Sequence, residues 1–541
     1  MRRVAPPVLA ALLPPLSALG GETASALPPD DVLESRGARI GAIEIEAKDI
    51  FDPTVPGEDN KLFRAADALH PKTRAGTIRD LLLFSSGEPY SRRILDESER
   101  LLRRQGYLYD ARIEPVRYAE NTVDVRVVTR DVWTLKPDLG LSRSGGVNEY
   151  HFGLQDTNVA GFGKLLSFIH EQDIDRTIDR LRYRDPNMGR SRVALSLEAQ
   201  NNSDGTVRSF EAGIPFYCLD CRWANHASIL KRLQTTSLWD FGRVIAQFRQ
   251  QSRLFDVGYA WSSGLTELRA LRFGAGYAYD DELFAPLPGA PPGALVPPHR
   301  TLAYPWVEME SVGDTFEATH DMDKLHRTED VDVGWTARAR AGWMTPTFGA
   351  DRTGLIAQGA AHGGTGVAGR DVWLFDGTFS GRYTTQGAED VLGTGSMRYF
   401  LRRRQSSAFF VLFQVQLARA LDPDHQILLG GDNGLRGYPL RYRAGDRSVL
   451  LTLERRLYGS REYLHLFRLG GAVFFDGGGA WFHDRAEPVH DRLVSDVGGG
   501  LRFSSTRSSA GSMLHLDVAF PLGAPSTIGR VQFLFSTLET F

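Results

Sequence analysis

From residue 132 to residue 541 the chain repeats one pattern, about ten residues of alternating apolarity closed by a turn, and no helical period interrupts it. In "RVALSLEAQ", Val193, Leu195 and Leu197 alternate with Ala194, Ser196 and Glu198. "FFVLFQVQLA" sets Phe409, Val411, Phe413, Val415 and Leu417 against a row that includes Gln414 and Gln416. "MLHLDVAFPL" sets Leu514, Leu516, Val518 and Phe520 against His515, Asp517 and Ala519. Successive strand side chains point to opposite faces, so each segment makes a strand that is greasy on one side and polar on the other. Two kinds of fold accept such strands. A soluble sandwich buries the greasy faces between sheets; an outer-membrane barrel shows them to lipid and turns the polar faces to a lumen.

Alternation alone does not separate the two, but three further features favour the membrane. The first residues read as an export signal: Arg2 and Arg3 precede the apolar "VAPPVLAALLPPLSALG", and the small residues of "TASA" place cleavage after Ala26, with Gly20 as a second candidate. The alternating segments are close to the ~9 to 11 residues of a tilted spanning strand. Aromatic residues sit at strand ends, and the chain closes on Phe541 in "VQFLFSTLETF". After the signal, no stretch approaches the ~20 apolar residues of a membrane helix. Hydrocarbon tolerates no open sheet edge, so the sheet is expected to close on itself. At about 25 residues per strand and connection the expected barrel has roughly sixteen strands. Some alternating segments between Thr206 and Arg300 are then expected to be loop hairpins, and the proline-rich "FAPLPGAPPGALVPPHR" an exposed loop.

Residues 38 to 131 carry different periods. "ARIGAIEIEA" alternates Ile43 and Ile45 with Glu44 and Glu46 as a half-buried strand. "TIRDLLLF" offers Thr77 as the N-cap of a short helix. "SRRILDESERLLRRQG" places Ile94 and Leu95, then Leu101 and Leu102, on one helix face and stops at Gly106. "ARIEPVRY" and "NTVDVRVVTR" follow as strands, the second alternating Val123, Val125 and Val127 with Asp124 and Arg126. Strand, helix, helix, strand, strand makes one small α+β domain.

The formal charge of -3 and the absence of a basic run exclude a general nucleic-acid binder. Cys218 and Cys221 are the only cysteines; without further ligands they make no zinc site, and a local disulfide and an incidental pair both fit. No G-x-S-x-G elbow, H-E-x-x-H pair or nucleotide-binding loop occurs, so no catalytic residue, metal or cofactor is expected. The acidic "EQDIDRTID" and "DMDKLHRTED" read as solvated loops.

The glycine-crowded "GGDNGLRGYP" at residues 430 to 439 carries an arginine with little to pack against, and "FFDGG" follows at residues 474 to 478. Leu435, Arg436, Gly437 and Tyr438, paired with Phe474, Asp476 and Gly478 and with an aromatic C-terminal strand (Val531, Phe533, Phe535, Phe541), resemble the motifs of the BamA/TamA-like bacterial surface antigen superfamily. The resemblance implies a mainly β protein: signal peptide 1–26, linker 27–37, one POTRA domain at 38–131, and a sixteen-stranded antiparallel transmembrane β-barrel at 132–541 with five strands after the loop. It also implies that the loop folds back into the barrel and that Arg436 meets Asp476 beside Phe474. Closure between the first and last strands, "VWTLKPDLGLSR" and "RVQFLFSTLETF", would be weak, and Pro137 removes one backbone donor there. The implied role is an outer-membrane assembly or translocation factor whose periplasmic POTRA domain receives client. The alternatives are a transporter for a single secreted partner and a pore or lipid-handling barrel. The implied partners are outer-membrane lipid, unfolded or exported client proteins, and periplasmic or inner-membrane helper proteins.

Overall fold

A computed structural model of the chain describes residues 27–541 apart from 52–53, 55–57, 321, 323–327, 368, 405, 486–491, 508–512 and 539–541. The expected export signal, residues 1–26, and Phe541 lie outside the described residues.

The N-terminal domain is built on three strands. Arg39–Lys48 runs parallel to Thr122–Asp131, which pairs antiparallel with Leu108–Ala119. The alternation of "VDVRV" sends Val123, Val125 and Val127 into a core shared with Leu95 and Leu102 of the helix Arg92–Arg103. Each such fully buried aliphatic side chain is worth about 1.5 to 3 kcal/mol, which is what holds so small a domain together. Two helices absent from the sequence expectation, Asp30–Ser35 and Lys61–Leu69, join the element order. Leu33 of the first packs into the same core, so residues 30–35 belong to the domain rather than to a linker. The turn around Thr77 is the five-residue helix Ala75–Arg79, with Arg74 at its N-cap. The Thr77 hydroxyl donates instead to the carbonyl of Gly161, a barrel residue, at 2.9 Å.

From Leu135 onward the chain forms a closed antiparallel barrel of 20 strands, and the expectation of sixteen is wrong. Two causes explain the difference. Strands such as Leu135–Ser144 and Val147–Asp156 are ten residues long and reverse through only Gly145 and Gly146, both at positive φ, so 25 residues per strand and connection is too generous. The segments between residues 206 and 300 that looked like loop hairpins are wall strands: Gly205–Ile214, Trp223–Asp240, Arg243–Thr266 and Arg269–Pro286. The proline-rich residues 287–299 do form a loop. Five strands follow residue 446: Arg447–Tyr463, Phe467–Trp481, Val494–Ser505, Met513–Leu522 and Gln532–Leu538.

Burial in the barrel is the reverse of that in the domain. Leu139 and Leu141 stand 71% and 64% exposed on the outer face, with Phe152, Phe168 and Val307 beside or beyond them, while Asp476 and Arg502 inside are at 0% and 1%. In water such a surface would be an apolar patch far beyond what a soluble protein shows; against hydrocarbon it is the stable arrangement. No helix among the described residues is long and apolar enough to cross a membrane.

Both barrel termini lie at one end, because an even number of antiparallel strands brings the chain back to where it entered. The N-terminal domain sits across that end. Its helix Arg92–Arg103 faces the barrel loops: Glu97 accepts from the Leu219 amide at 2.8 Å, Arg93 pairs with Asp220, Arg100 with Asp314 at 3.2 Å, and Arg103 with both oxygens of Asp330. Cys218 and Cys221 form a disulfide in the first of these loops, which decides the alternative left open by the sequence.

Candidate functional site

Residues 420–446 connect the strands Ser407–Arg419 and Arg447–Tyr463 at the end of the barrel opposite the N-terminal domain. Two short antiparallel segments, Ile427–Leu429 and Arg443–Gly445, zip the neck of this loop. Its tip turns into the lumen. Leu435 and Tyr438 are fully buried among Ile427, Leu429, Tyr442, Leu450 and Ala480, so the first and last residues of "LRGY" anchor the tip by burial. The Tyr438 hydroxyl lies 3.2 Å from the Ser495 carbonyl and 3.3 Å from that of Leu522, two acceptors on neighbouring wall strands. A Cβ on Gly437 would stand 2.6 Å from Asp496 Cβ, closer than carbon atoms approach, so only glycine lets the loop backbone press this near to the wall.

That approach delivers Arg436 to the strand Phe467–Trp481. Its Nε donates to Asp476 Oδ2 at 2.6 Å and its Nη2 to Oδ1 at 2.9 Å, while Nη1 donates to Glu454 Oε1 at 2.8 Å. The guanidinium carbon lies 3.4 Å from the centre of the Phe474 ring. Thr452 completes the cradle by donating to Asp476 Oδ1 at 2.8 Å. A planar fork gripping one carboxylate through two parallel hydrogen bonds, stacked on an aromatic face, is a geometry lysine cannot reproduce. Burial by itself would lower the proton affinity of Arg436, but the Asp476 hydrogen bonds and the fields of Asp476, Glu454 and Asp517 outweigh it and hold it above the usual arginine range. Because Asp476 is wholly buried, removing Arg436 would strand a charge at a cost of ~3 to 5 kcal/mol.

The structure thus brings Leu435, Arg436, Gly437, Tyr438, Phe474 and Asp476 into one lock. Gly478 sits two residues further along the same strand, where a Cβ would meet the Val449 carbonyl at 2.3 Å and Leu429 at 3.3 Å, so its role is to admit the neck of the loop. Val531 precedes the last strand, Phe533 points outward, and Phe535 pairs with the first strand. Residues outside the two motifs also belong to the lock: Thr452, Glu454 and Arg456, then Arg502 with Asp517 at 2.5 Å. Their signal was present in "LTLERRLY", where Thr452, Glu454 and Arg456 fall at every second position and so share the lumen face.

The loop also reaches the start of the barrel. The Ser144 hydroxyl donates to the Gly431 carbonyl at 2.5 Å, and Arg441 holds both oxygens of Asp175 at 2.8 and 2.7 Å. A cavity of about 660 Å³ lies between lock and seam, lined by Ser142 and Ser144 of the first strand, Ser536 of the last, and Arg436, Asp476 and Asp517. At the seam the last strand lies beside the first and closes the barrel. Among the described residues the only pair joining last to first strand is Phe535 with Arg143. By contrast, Trp223–Asp240 and Arg243–Thr266 pair from Trp223 opposite Trp261 to Asp240 opposite Arg243.

Asp390, Asp422 and His425 bring potential metal-ligand atoms within 4.8 Å of one another. Arg382 already donates to both oxygens of Asp422, so the cluster is neutralised from within the chain.

Residues 70–130 match the family model for the POTRA domain, described as a surface antigen variable number repeat. Comparison with curated protein sequences returns no match. Among solved structures, the chain is similar to BamA from Haemophilus ducreyi lacking POTRA domains 1-3, at 14% identity and a TM-score of 0.40, over 92% of this chain and 85% of that one. It is similar to CdiB from Acinetobacter baumannii at 11% identity and a TM-score of 0.43, over 92% and 73%. CdiB from Escherichia coli gives 11% and 0.43, over 92% and 76%. Likenesses this distant add nothing to what the domain and the barrel already establish. The chain thus joins a domain matching the POTRA model directly to a closed β-barrel of 20 strands.

Proposed function

We propose that this protein is an outer-membrane assembly or translocation factor whose barrel opens sideways between its first and last strands. The POTRA domain faces the periplasm, where it receives unfolded or exported client. The observation that carries the reading is the seam. Ladder hydrogen bonds contribute only about 0.5 to 1.5 kcal/mol each, and among the described residues Phe535–Arg143 is the one ladder pair joining the last strand to the first, which makes this the place where the wall parts most readily. Once parted, the first strand, Leu135–Ser144, presents its edge beside lipid, a template onto which a client strand can add.

The loop acts as the staple of this seam. Tyr438 holds it to the two strands preceding the last one, Ser144 holds it to the first, and the Arg436 lock fixes it between them. A passive pore fits less well, since the loop tip occupies the lumen and the POTRA helix Arg92–Arg103 spans the mouth. An enzyme fits less well still, since Arg436, Asp476, Glu454, Arg456, Arg502 and Asp517 are tied to one another in pairs and triads. Outer-membrane lipid, client proteins and periplasmic or inner-membrane helpers are the partners this role requires.

Quantitative mass spectrometry of the outer membrane and the culture medium tests it, comparing a deletion strain with strains restored by the native protein or by Arg436→Ala. A broad fall in other barrel proteins identifies a general assembly factor, and loss of one secreted product a dedicated transporter. No change in either fraction would rule the proposal out.

A further inference from the structure

The lock contains one carboxyl group for which it has no cation. Strands Phe467–Trp481 and Val494–Ser505 pair with Asp476 directly opposite Asp496. Residues so placed on one face of an antiparallel pair have Cβ atoms about 4.5 to 5.5 Å apart. Both residues are at 0% exposure. The oxygens of Asp476 are taken by Arg436 and Thr452, and those of Asp517 by Arg502; Glu454 is shared by Arg436 and Arg456. Among the described residues no side-chain donor of the lock reaches either oxygen of Asp496; what faces it from the loop is the Gly437 amide. Three arginines therefore serve three carboxylates, and the fourth carboxyl is left beside a like charge with no arginine bonded to it, only the Gly437 amide and the more distant field of Arg436.

An isolated carboxylate in such a place is far costlier than the neutral acid, and a neighbouring carboxylate raises that cost further. The neutral acid has what the ion lacks: one O–H donor, facing an acceptor-only neighbour across the strand pair. We propose that Asp496 is a positioning residue of the lock, present as a carboxylic acid whose proton is shared with Asp476 while the loop is docked. Gly437 rests directly on it, so a negative charge at Asp496 would act on Asp476 and on the loop backbone together. The charged and titratable groups around it are few. Asp476 faces it from one neighbouring strand, Arg436 and the Tyr438 hydroxyl from the loop, and Pro521, which does not titrate, from the other strand. His515 lies opposite Arg502, further along the wall.

The sign of the linkage follows. A docked state that holds one more proton than the undocked state weakens as pH rises, and with a single proton the docking equilibrium falls about tenfold per pH unit on the alkaline side. This holds whatever the barrel handles, so it stands or falls separately from the assembly reading.

The test uses full-length protein folded in detergent, with the heat-dependent mobility shift on semi-native gels and protease access to residues 430–442 followed from about pH 6 to about pH 9, below the ordinary tyrosine range. The wild type should lose loop protection as pH rises. Asp496→Asn, which keeps the shape and a donor but cannot ionise, should remain protected throughout; Asp496→Ala should be less protected at every pH and equally flat. A second measurement needs no variant: the infrared band of a protonated carboxyl should be present in the wild type at neutral pH and disappear over the same range as the loop protection. If Asp496→Asn follows the wild-type profile, or the wild type shows no such band, the proposal is overturned.

Discussion

Two stretches of one wall are built from the same element and differ in nearly every energetic respect. Trp223–Asp240 and Arg243–Thr266 form a long unbroken ladder apart from one bulge, whereas Leu135–Ser144 and Gln532–Leu538 meet at a single described pair. A closed barrel has no free edges only to the extent that every ladder is complete, so its weakest pair decides where it opens. Here that pair is bridged by the loop 420–446, which is anchored on both sides of it. What the seam lacks in ladder, the lock supplies through an ion pair that can be made or broken as a unit.

The largest expected effect comes from cutting the staple. Arg436→Ala should remove ~3 to 5 kcal/mol from loop docking, visible as a lower temperature for the heat-dependent gel shift. Asp476→Ala should match it, and the double variant should be little worse than either; strict additivity would sever the proposed coupling. Next come charges placed on the lipid face, which cost ~2 to 4 kcal/mol at mid-membrane. Val257→Arg, in the long ladder, should lower the gel-shift temperature with the barrel still sealed. Leu139→Arg, beside the seam, should in addition make the outer membrane leaky to a large antibiotic. Equal leakage from both would erase the distinction between seam and wall. The smallest effect is expected from Arg441→Ala at the outer end of the loop, where a partly exposed pair with Asp175 contributes only ~0.2 to 1 kcal/mol.

The sequence exposed the type of fold through period two and the lock through two short motifs, but not the size of the barrel. Strand number depends on turn length, and ten-residue strands reversing at Gly145 and Gly146 look, in a pattern of alternation, like fewer and longer units. The long strands around Arg243–Thr266 misled in the other direction, because alternation continuing past the membrane thickness resembles a loop hairpin. In the lock, Arg436 and Asp476 were legible because both sit in glycine-flanked motifs. Glu454 was hidden inside the run "SVLLTLERRLY", which reads as hydrophobic until its alternate positions are assigned to a lumen. Asp496 was not legible at all: its significance is a missing partner, which depends on where every neighbouring arginine points. The helix Asp30–Ser35 was missed because six residues show less than two turns of period, and only Leu33 reaches the core.

The most direct measurement is to close the seam covalently. Arg143 and Phe535 are paired across it, within the Cα spacing a disulfide requires, so Arg143→Cys with Phe535→Cys can be oxidised in a background carrying Cys218→Ser and Cys221→Ser. Ala224→Cys with Ala260→Cys, a pair in the long ladder, serves as the control. The oxidised seam should abolish the protein's effect on the outer-membrane and secreted fractions, reduction should restore it, and the oxidised control should behave as wild type. Full activity with the seam locked shut would contradict lateral opening.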